Sequence, residues 1–418
     1  MKSQILLLVA IMNLYGCKES KKTQVPNETN NQIVIGQVDS LYSTILGESR
    51  EIWVHVPFNT REGEKHPVLY LLDGKSHFYS VTGILRRLSH GNGNRVLPEM
   101  IVVAILNTDR NRDLTPTHVS LNDSDSIYAR NSGGGPMFLR FIENELMPYV
   151  ENKYPTSHLK TFVGHSFGGL TVIDELMRNP DLFDNYIAID PSLWWDDQIM
   201  LIRADSVLST QNFKDKSLFV GIANTMMGRM SYDDVAKDTT ELTEHIRSII
   251  QFVETTESMN TNGLLFDWKY YEQDDHRSVA LITEYDALRF LFSWYQFKGL
   301  DKLADSSISI DESIDLLLAH YDNVSAKMGY KILPSEELVN DLGYLDLYQK
   351  NTDRAAAFFD LNIQNFPESS NAYYARGDCY LASGDSTKAL EAFKKSLEIE
   401  YSEFSQAKIE MLNTKFGT

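Results

Sequence analysis

The chain has 418 residues, long enough for two or three domains and a large core. Hydrophobic residues make up 43% and charged residues 23%, the balance of a soluble globular protein. A formal net charge of −19 argues against nucleic acid or an anionic membrane surface as the main partner, since both would repel the chain.

The first residues read as a targeting segment. Lys2 supplies a positive start, Ile5 to Leu14 is a short apolar run, and Leu14-Tyr15-Gly16-Cys17 follows. The run is too short to span a bilayer and suits the h-region of a signal peptide. Cys17 after a small residue resembles a bacterial lipobox, although Tyr15 departs from the residue usual at its position. Residues 1–17 are therefore expected to be a lipoprotein signal peptide with lipid on Cys17. An ordinary signal peptide with an incidental cysteine is the alternative. The polar stretch 18–31 is expected to be a flexible tether. This places the protein across the inner membrane of a bacterium, anchored by lipid in the periplasm or at the outer membrane or cell surface. Cys379 is the other cysteine, so no disulfide framework or cysteine zinc cluster can be built, and its apolar helical setting predicts a buried thiol.

From residue 32 the pattern changes. Ile33 to Leu46 and Glu51 to Val56 predict two strands. Apolar runs then alternate with helical segments: Val68 to Leu72, Met100 to Leu106, Thr161 to Val163, Tyr186 to Ile189, Leu218 to Val220 and Leu265 to Tyr271. Continuous apolar runs between helices predict a mostly parallel sheet covered on both faces, an α/β fold over residues 32–299. Residues 300–335 read as a helical connector. Residues 336–418 contain a self-similarity at a spacing of 34: Gly343 with Gly377, Leu347 with Leu381, Ala355 with Ala389, and Phe359 with Phe393. This is the period of tetratricopeptide repeats, here two units with a capping helix expected over Ser402 to Lys415. Two repeats make a weak solenoid, so they are expected to pack against the preceding domain or a neighbouring chain.

Gly164-His165-Ser166-Phe167-Gly168 is a G-x-S-x-G string between a predicted strand and a predicted helix over Phe167 to Met177. That setting lifts a serine hydroxyl above the sheet on a sharp turn, and the Phe167 N–H can point at a developing oxyanion. Ser166 is thus the candidate nucleophile. A serine needs a base, and His276 lies in the acidic loop after the last predicted strand, just before the helical stretch Val279 to Phe292. His165 is expected to pack against the elbow. No second ligand at suitable spacing accompanies His276, so no metal site is expected. The acid is sought after Leu218 to Ala223, where Asn224 and Thr225 stand instead. Asp238 is the favoured candidate, although Asp238-Thr239-Thr240-Glu241 also reads as a capping box for a helix over Thr239 to Val253. Another group, or a Ser–His dyad, is the alternative.

Together, Leu71-Leu72-Asp73-Gly74, the elbow, Pro191-Ser192-Leu193-Trp194-Trp195 and Asp275-His276 make the chain resemble the putative esterase family over about residues 32 to 298. That family includes esterase D, siderophore esterases and mycolyltransferases. The resemblance implies an α/β-hydrolase fold, Ser166 as nucleophile, His276 as base and the Lys75 N–H as a second oxyanion donor. The family's usual acid position falls on Asn224 or Thr225. Asp73, Gly74, His165, Trp194, Trp195 and Arg110 are candidate pocket residues. Trp194 and Trp195 are equally readable as core, and Arg110 and Arg112 as members of local ion pairs.

The function expected is hydrolysis of a small-molecule carboxylic ester, such as a siderophore or acylated sugar, with no cofactor and no nucleic-acid partner. Acyl transfer is one alternative. The other is a lipoprotein scaffold whose repeats bind a protein partner while the hydrolase fold does little chemistry.

Overall fold

The computed structural model describes residues 32–58, 60, 63–91, 93–119, 130–226, 230–235, 237–259 and 262–416. The expected signal peptide, Cys17 and the tether lie outside them. Eight strands form one sheet: β1 Gln37–Ser43, β2 Glu48–His55, β3 His66–Leu71, β4 Ile101–Ile105, β5 Thr156–His165, β6 Asn185–Ile189, β7 Ser217–Ala223 and β8 Leu265–Tyr271. Their order is β1-β2-β4-β3-β5-β6-β7-β8. The first two strands pair antiparallel and β2 meets β4 antiparallel, whereas the strands from β4 to β8 are parallel neighbours.

Every expected strand is present, and burial explains why each was legible. All residues of β3, β4, β6 and β7 are buried, which demands side chains that are apolar on both faces. The outer strand β8 alternates exposed and partly buried positions. Helices α1 Gly74–Ser89, α2 Phe167–Arg178, α3 Trp195–Val207, α4 Glu244–Ser258 and α5 Val279–Leu291 connect or cover these strands. Two of them, α1 and α2, begin directly after the carboxyl ends of β3 and β5. Both N-termini therefore open onto the same end of the sheet, where open α/β sheets bind ligands.

The C-terminal part is all helical: α6 Ile310–Met328, α7 Glu336–Tyr348, α8 Thr352–Asn365, α9 Ser370–Ala382, α10 Ser386–Ile399 and α11 Glu403–Phe416. The 34-residue period corresponds to one repeated interlock. A Cβ on Gly343 would sit 2.5 Å from the Phe359 ring, and one on Gly377 would sit 2.6 Å from Phe393. Small residue and large ring meet where paired helices cross most closely. Cys379 is buried on this face, as expected.

The helices dock on the α/β part within one compact unit. Ser335 Oγ donates to the Gly93 carbonyl at 2.8 Å, and a Cβ on Gly93 would lie 2.3 Å from the Leu338 N. Gly329, which ends α6 in a left-handed conformation, packs against His158 near the start of β5. No helix among the described residues is long and apolar enough to cross a membrane.

Candidate active site

Ser166 sits between β5 and α2 at φ 60° and ψ −115°. A non-glycine residue with this backbone is strained, and the strain persists because the surroundings fix it. The Ser166 N–H donates to the Ile189 carbonyl at 2.9 Å, and its carbonyl accepts the Ser192 N–H at 3.1 Å. Glycines make the turn possible: a Cβ on Gly164 would fall 2.3 Å from the Gly168 carbonyl, and one on Gly169 would lie 2.9 Å from Pro191. The hydroxyl of Ser166 lies 3.2 Å from that of Ser192.

His276 is presented by a tight turn after β8. The Asp275 carboxylate accepts the N–H groups of Arg277 and Ser278 at 2.8 and 3.0 Å. The His276 Nδ1 lies 2.5 Å from Oδ2 of Asp190, at the carboxyl end of β6. Asp190 is fully buried, and its Oδ1 accepts the Ala223 N–H at 3.0 Å. Its Oδ2 also meets His245 Nε2, from the first turn of α4, at 2.9 Å. Burial opposes the charge of Asp190, but the two imidazoles and the Ala223 amide hold its carboxyl well below the usual carboxylate range.

The acid sought on Asp238 is therefore corrected. The Asp238 carboxylate accepts the hydroxyls of Thr240 and Thr243 at 2.6 and 2.5 Å, bracing the approach to α4, which begins at Glu244. The carboxylate beside His276 belongs to Asp190. Asn224, at the position where the resemblance places the acid, ties down the histidine loop instead. Its side chain donates to the Glu272 carbonyl at 3.0 Å, and its N–H to the Asp274 carbonyl at 2.8 Å. Two signals pointed to Asp190: a carboxylate directly ending a buried strand, and a following proline that stops the strand there. His245 carried no signal, because nothing in a helical run reveals which face meets a distant strand end.

His165 packs between two imidazoles, its ring centroid 4.6 Å from that of His276 and 5.6 Å from that of His77. Burial, reinforced by those neighbours, lowers its pKa to about 4, so it is neutral at physiological pH. Behind it, His77 Nδ1 meets the buried Glu284 at 2.9 Å.

Lys75 and Phe167, the expected oxyanion donors, are near or at the first residues of α1 and α2, where backbone N–H groups point out of the helix. Asp73 caps α1 in a left-handed conformation, φ 52°. Arg110 grips it through two bonds of 2.6 and 2.8 Å and also donates to the His165 carbonyl at 3.2 Å. Asn107 adds a bond of 2.6 Å to Asp73. Despite burial, these donors keep the Asp73 carboxyl below its usual range. Asp73 and Arg110 thus form an ion pair that holds two turns together. Arg112 likewise pairs with Glu48 and Asp113. Gly74 is required by close approach, since a Cβ there would lie 2.9 Å from that of Ala104. Trp195 is core: it is 3% exposed, and its indole N–H donates to Thr117 at 3.1 Å. Trp194 keeps partial exposure and stands 6.1 Å from Phe167, ring to ring.

A family model described as putative esterase matches residues 43–253, and a tetratricopeptide-repeat model matches residues 370–402. The chain is similar to an IroE-like serine hydrolase from Shewanella oneidensis, with 31% identity and a TM-score of 0.64, covering 79% of this chain and 99% of that one. It is similar to the ferri-bacillibactin esterase BesA of Bacillus subtilis, 27% identical over 288 residues, 65% of this chain and 96% of the relative. An uncharacterised protein from Capnocytophaga ochracea shares the fold over 90% of this chain and all of its own length, at a TM-score of 0.60 and 17% identity.

Proposed function

Because the chain belongs to the putative esterase family, we propose that it is a serine hydrolase cleaving carboxylic esters of the siderophore class through an acyl-enzyme. The observation that carries this reading is the junction of two neighbouring strand ends. Ser166 follows β5, and Asp190, bonded to His276, follows β6 beside it. The names of two similar proteins, a serine hydrolase and a siderophore esterase, support the chemistry and the substrate class.

The steps follow from the tautomer. The Nδ1–H of His276 donates to Asp190, which leaves Nε2 with a lone pair as the base. Ser166 Oγ attacks the ester carbonyl carbon while its proton passes to Nε2, and Asp190 stabilises the imidazolium. The carbonyl oxygen becomes an oxyanion held by the Phe167 and Lys75 amides. Collapse breaks the bond to the alcohol oxygen, which receives the proton from Nε2. Water then attacks the acyl-serine, giving its proton to Nε2, and collapse returns that proton to Ser166. Neutral His165 at the flank of His276 adds no repelling charge.

Lipid on Cys17 with anchoring outside the inner membrane, and a protein partner for the repeats, remain parts of this proposal. The scaffold alternative drew its support from a missing acid, and the bond between Asp190 and His276 weighs against it.

The test uses the full-length chain and its Ser166→Ala variant with p-nitrophenyl butyrate and a tricatecholate triester siderophore. Turnover of both esters that vanishes in the variant, with a fluorophosphonate label on Ser166, is expected. Equal background rates and no label would overturn the reading. Loss of membrane association in Cys17→Ala tests the anchor.

A further inference from the structure

We propose that Asp190, His245 and His276 form a three-ligand site for a zinc-class divalent cation, and that the bound cation switches the catalytic base off. The switch rests on the reading of His276 as that base; the site itself does not.

The three residues come from distant parts of the chain, the end of β6, the first turn of α4 and the loop after β8, yet their nearest donor atoms all lie within 4.8 Å of one another. Two are imidazole nitrogens and one is a carboxylate oxygen, a common donor set for zinc in a site with an open position. Two nitrogens against one oxygen favour zinc or copper over magnesium or calcium, which prefer all-oxygen cages.

The geometry is close to what a cation needs. His276 Nδ1 and His245 Nε2 lie 2.5 and 2.9 Å from the same Asp190 oxygen. A tetrahedral ion with bonds of about 2.0–2.1 Å would hold neighbouring ligand atoms roughly 3.3 Å apart. Each imidazole therefore needs to withdraw by less than about 1 Å. The carboxylate is oriented from behind by the Ala223 N–H on Oδ1, the kind of outer support that steadies metal ligands. Access exists as well, because the His245 and His276 side chains are 21% and 38% exposed.

The chemistry of the switch balances in protons. The cation takes the lone pairs of the two ring nitrogens facing Asp190, so each neutral imidazole moves its single proton to its other ring nitrogen and none is released, whereas a ring that starts as imidazolium releases one. His276 bound through Nδ1 then carries its proton on Nε2, and no lone pair remains for Ser166. Ester turnover stops until a chelator removes the ion. A second cluster, Glu64, His66 and Glu99, also meets the spacing for a cation, so the test must isolate His245.

Zinc chloride is titrated by calorimetry into full-length protein carrying Ser166→Ala, and into the same protein carrying His245→Ala or His245→Gln in addition. Glutamine keeps an N–H for Asp190 while being a poor zinc ligand, so it covers the case in which alanine disturbs folding. The expected result is a zinc-binding event that His245→Gln weakens by at least the roughly 10–100-fold seen for loss of an outer-shell partner. Calcium should give no such event. Wild-type ester turnover should fall with zinc and return with EDTA. Zinc binding that is absent, unchanged in both His245 variants, or matched by calcium would overturn the site. If the wild type turns over no ester yet zinc binding depends on His245, the site stands and the switch, with the esterase reading, falls.

Discussion

Ser166 and Asp190 occupy equivalent places at the ends of neighbouring parallel strands, each one residue beyond the paired His165 and Ile189, and both have positive φ, 60° and 41°. Strand register thus puts Ser166, the proposed nucleophile, and a carboxylate side by side without any loop to position them. If Asp190 orients His276, Asp190→Asn lowers kcat by about 10⁴-fold with little change in KM, the effect of forcing the wrong tautomer. Asp238→Asn leaves kcat near wild type. Steady-state kinetics on p-nitrophenyl butyrate separate the two; the opposite ranking would return the role to Asp238.

A second expectation concerns Arg110. Its two-bonded grip on Asp73 and its bond to the His165 carbonyl set the spacing of the α1 and α2 N-termini. Lysine keeps the charge but lacks the planar fork. Arg110→Lys should lower kcat by up to roughly 10²-fold, the cost of a misplacement of about 1 Å, while thermal unfolding shifts only slightly. Unchanged kcat would show that the oxyanion geometry does not depend on this clamp.

His165 makes stability depend on acid in a definite direction. Its pKa falls from 6.5 to about 4 on folding, mainly through burial. The unfolded chain therefore binds the proton first as pH drops. Full stability holds above pH 6.5, and about 3 kcal/mol is lost between pH 6.5 and 4, by linkage. Urea unfolding of wild type and His165→Leu near neutrality and near pH 4 checks this. The gap between the two should move in favour of the variant on acidification, and a constant gap would contradict it.

The repeats allow a stability test remote from chemistry. Gly377→Ala puts a methyl 2.6 Å from the buried ring of Phe393. Overpacking of this kind costs about 1–3 kcal/mol, visible as a lower unfolding temperature, and ester turnover below the transition should not change. A neutral or stabilising result would mean that the two helices separate freely.

Much of the fold was legible because burial writes itself into composition. Val68 to Leu72 and Leu218 to Ala223 admit few polar residues, being covered on both sides, and the first glycine of the elbow, Gly164, is required by a contact of 2.3 Å. The identity of the carboxylate was not legible, because order along the chain does not give adjacency across a sheet. Asp190 stands directly before Pro191 at the end of β6, whereas chain order points to the end of β7, where Asn224 ties down a loop. His245 was invisible for a related reason: the face of α4 that meets Asp190 is chosen by packing, not by periodicity.

One consequence follows from β5 itself. At its start, His158 bears on Gly329 and so on the helical region; at its end stands Ser166. About 25 Å of strand, at roughly 3.3 Å per residue, separates those ends. A guest seated on the repeats would grasp the enzyme by its heel and leave the mouth facing away. Whatever holds this protein in place therefore need not stand in the path of what it digests.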